Sequence, residues 1–400
     1  MSKGVAITGM GIVSAIGNSI DENYQALISG RNGLSSIENI NTIHSNWIKV
    51  GEIKRSNSQL ATELDLDSSN NFSRTAMLGA IAAKQAVANA GITDINQYRT
   101  GLISATSVGG MDMTERYFYE YFENPSVRKY IDGHNAGDTS HKIADELGLK
   151  GMVTTISTAC SSAANSIMFG ARLIKSGVLD RVIVGGTDAL AKFTINGFNT
   201  LMILSDEVNA PFDDNRKGLN LGEAAAYLVL ESDEVVEKQQ KKVLARLTGY
   251  GNANDAFHQT ASSENGDGAY LAMTKALKVS GLRHDEIDYI NVHGTATPNN
   301  DLSEARAMMR VFGENIPSFS STKPFTGHTL AAAAAIEAVY CILALQNGTI
   351  FPNLNFRTPM AETNLMPQQE TKFTAVKHVL SNSFGFGGNC STLVFSRNEA

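Results

Sequence analysis

The chain has 400 residues, 42% of them hydrophobic and 18% charged, which fits a compact chain better than a disordered one and allows about two to three packed domains. Its net charge is −7, from 33 basic and 40 acidic residues, and no basic stripe interrupts it, so no nucleic-acid partner is expected. Cys160, Cys341 and Cys390 lie far apart with no CxxC pair, which argues against a disulfide framework or a zinc site, and no run approaches the roughly 20 apolar residues of a membrane span.

Met1-Ser2-Lys3-Gly4 leads straight into a strand-like run at 5–8 without the pattern of a secretory signal, so a cytoplasmic, soluble chain is expected. That strand is expected to break at Gly9-Met10-Gly11. These glycines look like the start of a dinucleotide fingerprint, but Val13 and Ser14 stand where its third glycine belongs, so they read as close-packing positions. Residues 74–90 carry a helical apolar pattern, and 101–106 read as a strand. Tyr117, Phe118, Tyr119, Tyr121 and Phe122 form an aromatic cluster, read as core or subunit interface. A β-rich run at 152–156 then feeds Ser157-Thr158-Ala159-Cys160, and apolar residues recur at helical spacing from Ala163 to Ile174. Cys160 therefore falls where a strand hands over to a helix, and unpaired N–H groups and the positive end of the macrodipole lower a thiol's pKa there. A free cysteine is also a common core residue, so on this segment alone nucleophile and structural thiol are equally consistent.

Residues 232–243 are the most charged stretch and read as a solvated connecting helix, dividing the chain into 1–245 and 246–400. The second part repeats the grammar of the first, with helices at 269–279, 302–312 and 330–345 and strands at 287–292, 318–322 and 391–395. In each half a short β-run enters an alanine-rich helix, at 156–171 and 320–335. The fold class is α/β with packed sheets, internally duplicated.

Three further stretches carry chemistry. Asn291-Val292-His293-Gly294-Thr295-Ala296-Thr297-Pro298 places a histidine at a strand end before a hydroxyl-bearing turn. Ser321-Thr322-Lys323-Pro324-Phe325-Thr326-Gly327-His328 sets a lysine and a second histidine before an alanine-rich helix. Ser381-Asn382-Ser383-Phe384-Gly385-Phe386-Gly387-Gly388 is a glycine turn whose backbone can approach a substrate closely. Packing alone rarely puts four such turns in one chain.

Together these stretches resemble the β-ketoacyl-[acyl carrier protein] synthases, condensing enzymes of the thiolase fold, over essentially the whole chain. TAC at 158–160, HGTATP at 293–298, STK at 321–323 with GH at 327–328, and NSFGFGG at 382–388 carry the resemblance. It implies a layered α-β-α-β-α fold, with the nucleophile in residues 1–245 and both histidines and the glycine loop in 246–400. It further implies a ping-pong acyltransferase performing a decarboxylative Claisen condensation, in fatty acid or type II polyketide/polyene synthesis. Cys160 would carry the acyl chain, with the N–H groups of Cys160 and Phe386 as oxyanion hole. His293 and His328 would stabilise the enolate left by malonyl decarboxylation. Lys323, ion-paired with Glu337, would act as an orienting, electrostatic group, with direct proton transfer a lesser role. Thr295 and Thr297 would bind the phosphopantetheine arm, Phe384 and Phe386 gate the acyl tunnel, and Val108 set its depth. No bound cofactor or metal is implied. Partners would be an acyl carrier protein and a second subunit, in a homodimer or in a heterodimer with a ketosynthase-like chain. Because 67–71 is poor in basic residues, Arg74, Arg128 and Lys129 remain as candidates for carrier docking. Two alternatives are a catalytically silent, chain-length-factor type partner and a coenzyme A-dependent thiolase. The thiolase would need a second active-site cysteine, and Cys390 follows the glycines and reads as core.

Overall fold

A computed structural model describes residues 4–398. Ten strands form one ladder: β1 (Val5–Ser14), β2 (Thr100–Ala105), β3 (Met152–Ile156), β4 (Arg181–Asp188), β5 (Ala224–Glu231), β6 (Ala245–Asn254), β7 (Tyr289–Asn291), β8 (Ser318–Ser320), β9 (His378–Phe384) and β10 (Asn389–Ser396). Their spatial order is β8-β7-β9-β10-β6-β1-β5-β4-β2-β3. Read outward from the centre, each half runs fifth, fourth, second and third strand beside its first, with the same mixture of parallel and antiparallel pairs. The halves join where β1 and β6 pair antiparallel over Val5–Leu247, Ala6–Arg246 and Ile7–Ala245.

Alternation along the strands makes the layers. Val182 and Val184 of β4 face one core while Ile183 faces another; Leu393 and Phe395 of β10 share the first core while Val394 turns to a third. Helices α1 (Arg74–Asn89), α2 (Ser162–Lys175), α3 (Asp267–Ser280), α4 (Pro298–Phe312) and α5 (Ala333–Asn347) fill the spaces. α2 and α5 lie in the shared central core, α1 covers the first half's outer face, and α3 and α4 cover the second half's. The result is the α-β-α-β-α sandwich. α5 is buried from Ala333 through Leu345, which explains why it is apolar all round. With its preceding turn, Leu330–Asn347 has the length and composition to cross a membrane, but 89% of it is buried inside the molecule, as befits a core helix.

Several sequence expectations are corrected. β1 does not break at Gly9-Met10-Gly11 but continues to Ser14. The glycines serve packing: a Cβ would fall 2.4 Å from the Ala86 carbonyl oxygen at Gly9 and 2.2 Å from that of Ala82 at Gly11, both on α1. The second half repeats the device, with Gly249 and Gly251 on β6 against the carbonyls of Ala276 and Ala272 on α3. The stretch 381–384 is not turn but the end of β9. In the aromatic cluster, Phe118, Tyr119 and Phe122 are exposed, so it is not core of this chain.

Candidate active site

The turns that carry the motifs all follow the C-terminal ends of strands. Cys160 lies between β3 and α2, His293 after β7, Lys323 and His328 after β8, and the glycine turn after β9.

Cys160 sits on a strained elbow. Ala159 is held at φ 51°, a left-handed conformation that costs a non-glycine residue about 1–3 kcal/mol. The Ser162 hydroxyl fixes it, accepting from the Thr158 N–H at 2.8 Å and donating to the Ala159 carbonyl at 2.5 Å. The elbow is tied to the glycine turn through Asn389, whose Oδ1 accepts from Ser161 Oγ at 2.7 Å and from the amides of Asn165 and Asn252 at 2.9 Å each.

The sulfur of Cys160 lies 3.0 Å from His328 Nε2. His328 Nδ1 accepts the Leu330 N–H at 3.1 Å, so in the neutral ring Nε2 carries the proton and is a donor toward the sulfur. Neutrality is enforced: burial, then the charge of Lys323, pushes both His328 and His293 well below the usual imidazole range. The two rings stand nearly perpendicular, centroids 5.5 Å apart. Sulfur and ring nitrogens fall within 4.8 Å of one another, a metal-like N, N, S grouping, yet the protonated Nε2 of His328 makes this a set of hydrogen-bond donors rather than ligands.

One electrostatic expectation reverses. Burial raises the Cys160 thiol to about 12, outweighing the charge of Lys323 and the nearby backbone N–H groups that favour a thiolate. The resting cysteine is therefore a neutral thiol. The backbone N–H groups of Phe386 and of Cys160 itself lie near enough to the sulfur to oppose that rise.

Lys323 Nζ pairs with Glu337 Oε1 at 2.6 Å, with 2% and 1% side-chain exposure. Glu337 Oε2 also accepts from Ser383 Oγ at 3.4 Å, which ties the pair to β9. Thr295 and Thr297 share a hydroxyl contact of 2.9 Å.

Two cavities meet at Cys160. One, of about 300 Å³, is lined by Cys160, His293, His328, Thr295, Thr297 and Phe384 and opens past residues 258–262. The other, of about 380 Å³ and mostly apolar, is lined by Val108, Phe193, Phe198, Leu201 and Leu330. Phe386 and Phe198 line both, stacked with centroids 5.9 Å apart at 26°, and so stand between them. Phe384 borders only the first cavity, packed 5.6 Å from His293. Val108 faces the apolar cavity.

The docking candidates separate. Arg74 is buried, forked onto Glu223 at 2.9 and 2.6 Å and bonded to the carbonyls of Ile53 and Arg55, so it cannot greet a carrier protein. Arg128 is exposed; Lys129 is half-buried, with its ammonium on the Ser69 carbonyl. Neither lines a cavity named here. Cys390 is buried in the outer core of the second half and also borders the first cavity.

Sequence reasoning passed over the carboxylates that hold these turns. Glu304 of α4 accepts the N–H groups of His293 and Gly294 at 2.9 and 2.8 Å, and Asp301 accepts that of Ala296 at 3.1 Å. The signal was their helical spacing after the HGTATP turn. Phe198 and Leu330 carried no signal at all, since their approach to Cys160 is tertiary.

Residues 2–235 match the family profile of the beta-ketoacyl synthase N-terminal domain, and 244–357 that of the beta-ketoacyl synthase C-terminal domain. The chain belongs to the β-ketoacyl synthase family. This ketosynthase is 32% identical to 3-oxoacyl-[acyl-carrier-protein] synthase 2 of Staphylococcus aureus (strain COL), over 100% of its own length and 99% of the relative's. It is 33% identical to the protein of the same name from Coxiella burnetii, over 98% of both chains. Among solved structures, the ishigamide ketosynthase/chain length factor superposes with a TM-score of 0.93 at 30% identity, covering 99% of both chains. The ketosynthase ApeO in complex with its chain length factor ApeC, from Xenorhabdus doucetiae, gives 0.84 at 31%, covering 99% and 98%.

Proposed function

We propose that this ketosynthase extends an acyl chain held on Cys160 by decarboxylative Claisen condensation with a malonyl thioester, both delivered on the phosphopantetheine of an acyl carrier protein. The observation that carries this reading is the junction at Cys160: a thiol 3.0 Å from a donating imidazole, backed by two N–H groups, between a polar entrance and an apolar pocket.

The thioester enters along Thr295 and Thr297. As Cys160 attacks, the negative charge gathering on the thioester oxygen is taken by the N–H groups of Cys160 and Phe386; collapse of that intermediate breaks the bond to the carrier's pantetheine sulfur, which leaves as a thiol with the proton given up by Cys160. The acyl chain then lies past Phe386 toward Val108. Malonyl thioester follows, and loss of CO2 leaves an enolate whose oxygen His293 and His328 can hold because both are neutral N–H donors. The enolate carbon attacks the Cys160 thioester, forming the new carbon–carbon bond and releasing the thiolate. Burial keeps both rings neutral, and the charge of Lys323, fixed by Glu337, adds to it. No step calls for a metal or bound cofactor.

Two halves, 1–245 and 246–400, are part of this reading; β6 begins at Ala245, one residue before that division, and the repeated strand order supports it. So are a second subunit, identical or ketosynthase-like, and carrier docking at Arg128 and Lys129. Solved neighbours described as complexes with a chain length factor and with an acyl-carrier protein support the partners. Three free thiols support a reducing, cytoplasmic setting. A silent partner role is not favoured, because Cys160, His293 and His328 are present together.

Intact-protein mass after incubation with acyl carrier proteins of several chain lengths, then with malonyl carrier protein, tests the reading. One acyl group on Cys160, absent in Cys160→Ala and discharged to a product two carbons longer, is the expected result. Turnover surviving in Cys160→Ala refutes it.

A further inference from the structure

Asp188 ends β4, is fully buried, and belongs to none of the motifs above. Its carboxylate gathers donors from two otherwise separate segments. Oδ1 accepts from Thr106 Oγ1 at 2.5 Å, the Ser107 N–H at 3.1 Å and the Val108 N–H at 3.0 Å. Oδ2 accepts from Ser107 Oγ at 2.6 Å, the Ser107 N–H at 3.2 Å and the Ala331 N–H at 2.9 Å. A buried carboxylate is expensive unless hydrogen-bonded, and here the bonds come from the acyl pocket on one side and the histidine turn on the other.

What lies between those segments gives the arrangement its meaning. Leu330 has φ 53°, a left-handed backbone strained for leucine. Its own N–H donates to His328 Nδ1, the next N–H along the chain donates to Asp188, and its side chain lines the apolar cavity beside Val108. The two bonds help hold the turn in that conformation, and loss of the Ala331 bond is expected to loosen the one that fixes the tautomer of His328.

We propose that Asp188 is the positioning residue that locks the acyl-pocket wall at Ser107–Val108 and the Leu330 turn behind His328 into one frame, so that chain depth and donor geometry are set together. The proposal rests on the condensing reading above. It makes the apolar pocket and the catalytic imidazole a single adjustable unit. An amide in place of the carboxylate keeps the shape but turns an NH2 group toward N–H donors, releasing at least one of them.

The test compares Asp188→Asn with wild type and Asp188→Glu in three assays: Cys160 acylation against carrier-bound chain length, malonyl decarboxylation, and the pH profile of Cys160 alkylation by iodoacetamide. Loss of donor geometry is expected to slow decarboxylation about 100-fold in Asp188→Asn, with the chain-length preference broadened. Asp188's charge also holds the Cys160 thiol up, so the alkylation profile moves to lower pH. Asp188→Glu restores part of each. Wild-type behaviour of Asp188→Asn overturns the proposal, as does a loss in which the alkylation profile stays put and Asp188→Glu recovers nothing. Should Asp188→Asn not fold, Thr106→Val and Ser107→Ala each remove one hydroxyl donor and are read in the same assays; an unchanged chain-length preference in both overturns it equally. If instead wild type accepts no acyl group from any carrier, the condensing reading fails, while the alkylation profiles still report on Asp188.

Discussion

Glu337→Leu leaves the ammonium of Lys323 buried without its carboxylate, and stability is expected to fall by about 3–5 kcal/mol. The magnitude follows from the geometry: a 2.6 Å pair, with 2% and 1% exposure, gives neither side chain a route to water. Burial pushes the Glu337 carboxyl upward even as Lys323 pulls it down, a sign that desolvation consumes much of what the pair gains. The companion variant Lys323→Met/Glu337→Leu removes both charges and keeps the volume, and is expected to be neutral or more stable than wild type by up to about 4 kcal/mol. Guanidinium denaturation followed by far-UV circular dichroism measures both. The double variant also separates folding from chemistry. Once the charge of Lys323 is gone, His293 and His328 rise while burial still holds them below the ordinary imidazole range, so the acid limb of the decarboxylation pH profile is expected to move to higher pH than in wild type. A loss below about 1 kcal/mol in Glu337→Leu, or a double variant as unstable as the single one, would refute the account of the pair.

The remaining expectations follow from the same geometry. Wild-type Cys160, held up to about 12, is expected to show alkylation by iodoacetamide rising throughout pH 7–10; a plateau below pH 9 counts against a neutral resting thiol. Folding lowers the proton affinity of His293, so the unfolded chain binds the extra proton below about pH 6.5 and stability drains as pH falls. His293→Asn is therefore expected to flatten the acid limb of denaturation by up to about 1.4 kcal/mol per pH unit, and an unchanged limb refutes it. Glu304→Gln turns an amide toward the N–H groups of His293 and Gly294 and is expected to cost about 1–3 kcal/mol, with decarboxylation falling more than acylation; equal losses in both steps would contradict a role at His293. Gly11→Ala places a methyl 2.2 Å from the Ala82 carbonyl and is expected to destabilise by about 1–3 kcal/mol, and a neutral effect on the denaturation midpoint would reject the packing reading of that glycine.

Local chemistry made much of this molecule readable before its structure. The elbow at Cys160 announces itself because a β-rich run, small residues and a helical period follow one another within residues 152–174. α1, α3 and the charged helix near 233–239 follow from spacing in the same way. Strand β6 gives little signal because half-buried Arg246, Thr248, Tyr250 and Asn252 alternate with Ala245, Leu247, Gly249, Gly251 and Ala253, of which only Leu247 is a large apolar residue. β1 was cut short because glycine inside a strand looks like a stop until the helix pressed against it is known. Cys160's proton affinity was misjudged for a related reason. A helix terminus is visible in sequence, whereas the depth at which it is buried is not, and here depth dominates.

β1 is made before the other nine strands of its sheet, yet it lies at the middle of the ten-strand order, and all ten of its residues are buried. Ala6 waits for Glu231 on one edge and Arg246 on the other. Such distant pairings close late, so the nascent chain carries an unpaired apolar ribbon through most of translation, and its folding is slow and dependent on protection from aggregation. The same order has a chemical benefit. Cys160 leaves the ribosome well before Phe386, so the thiol meets the second N–H donor proposed for acylation only near the end of synthesis, and an unfinished chain lacks half of that loading machinery.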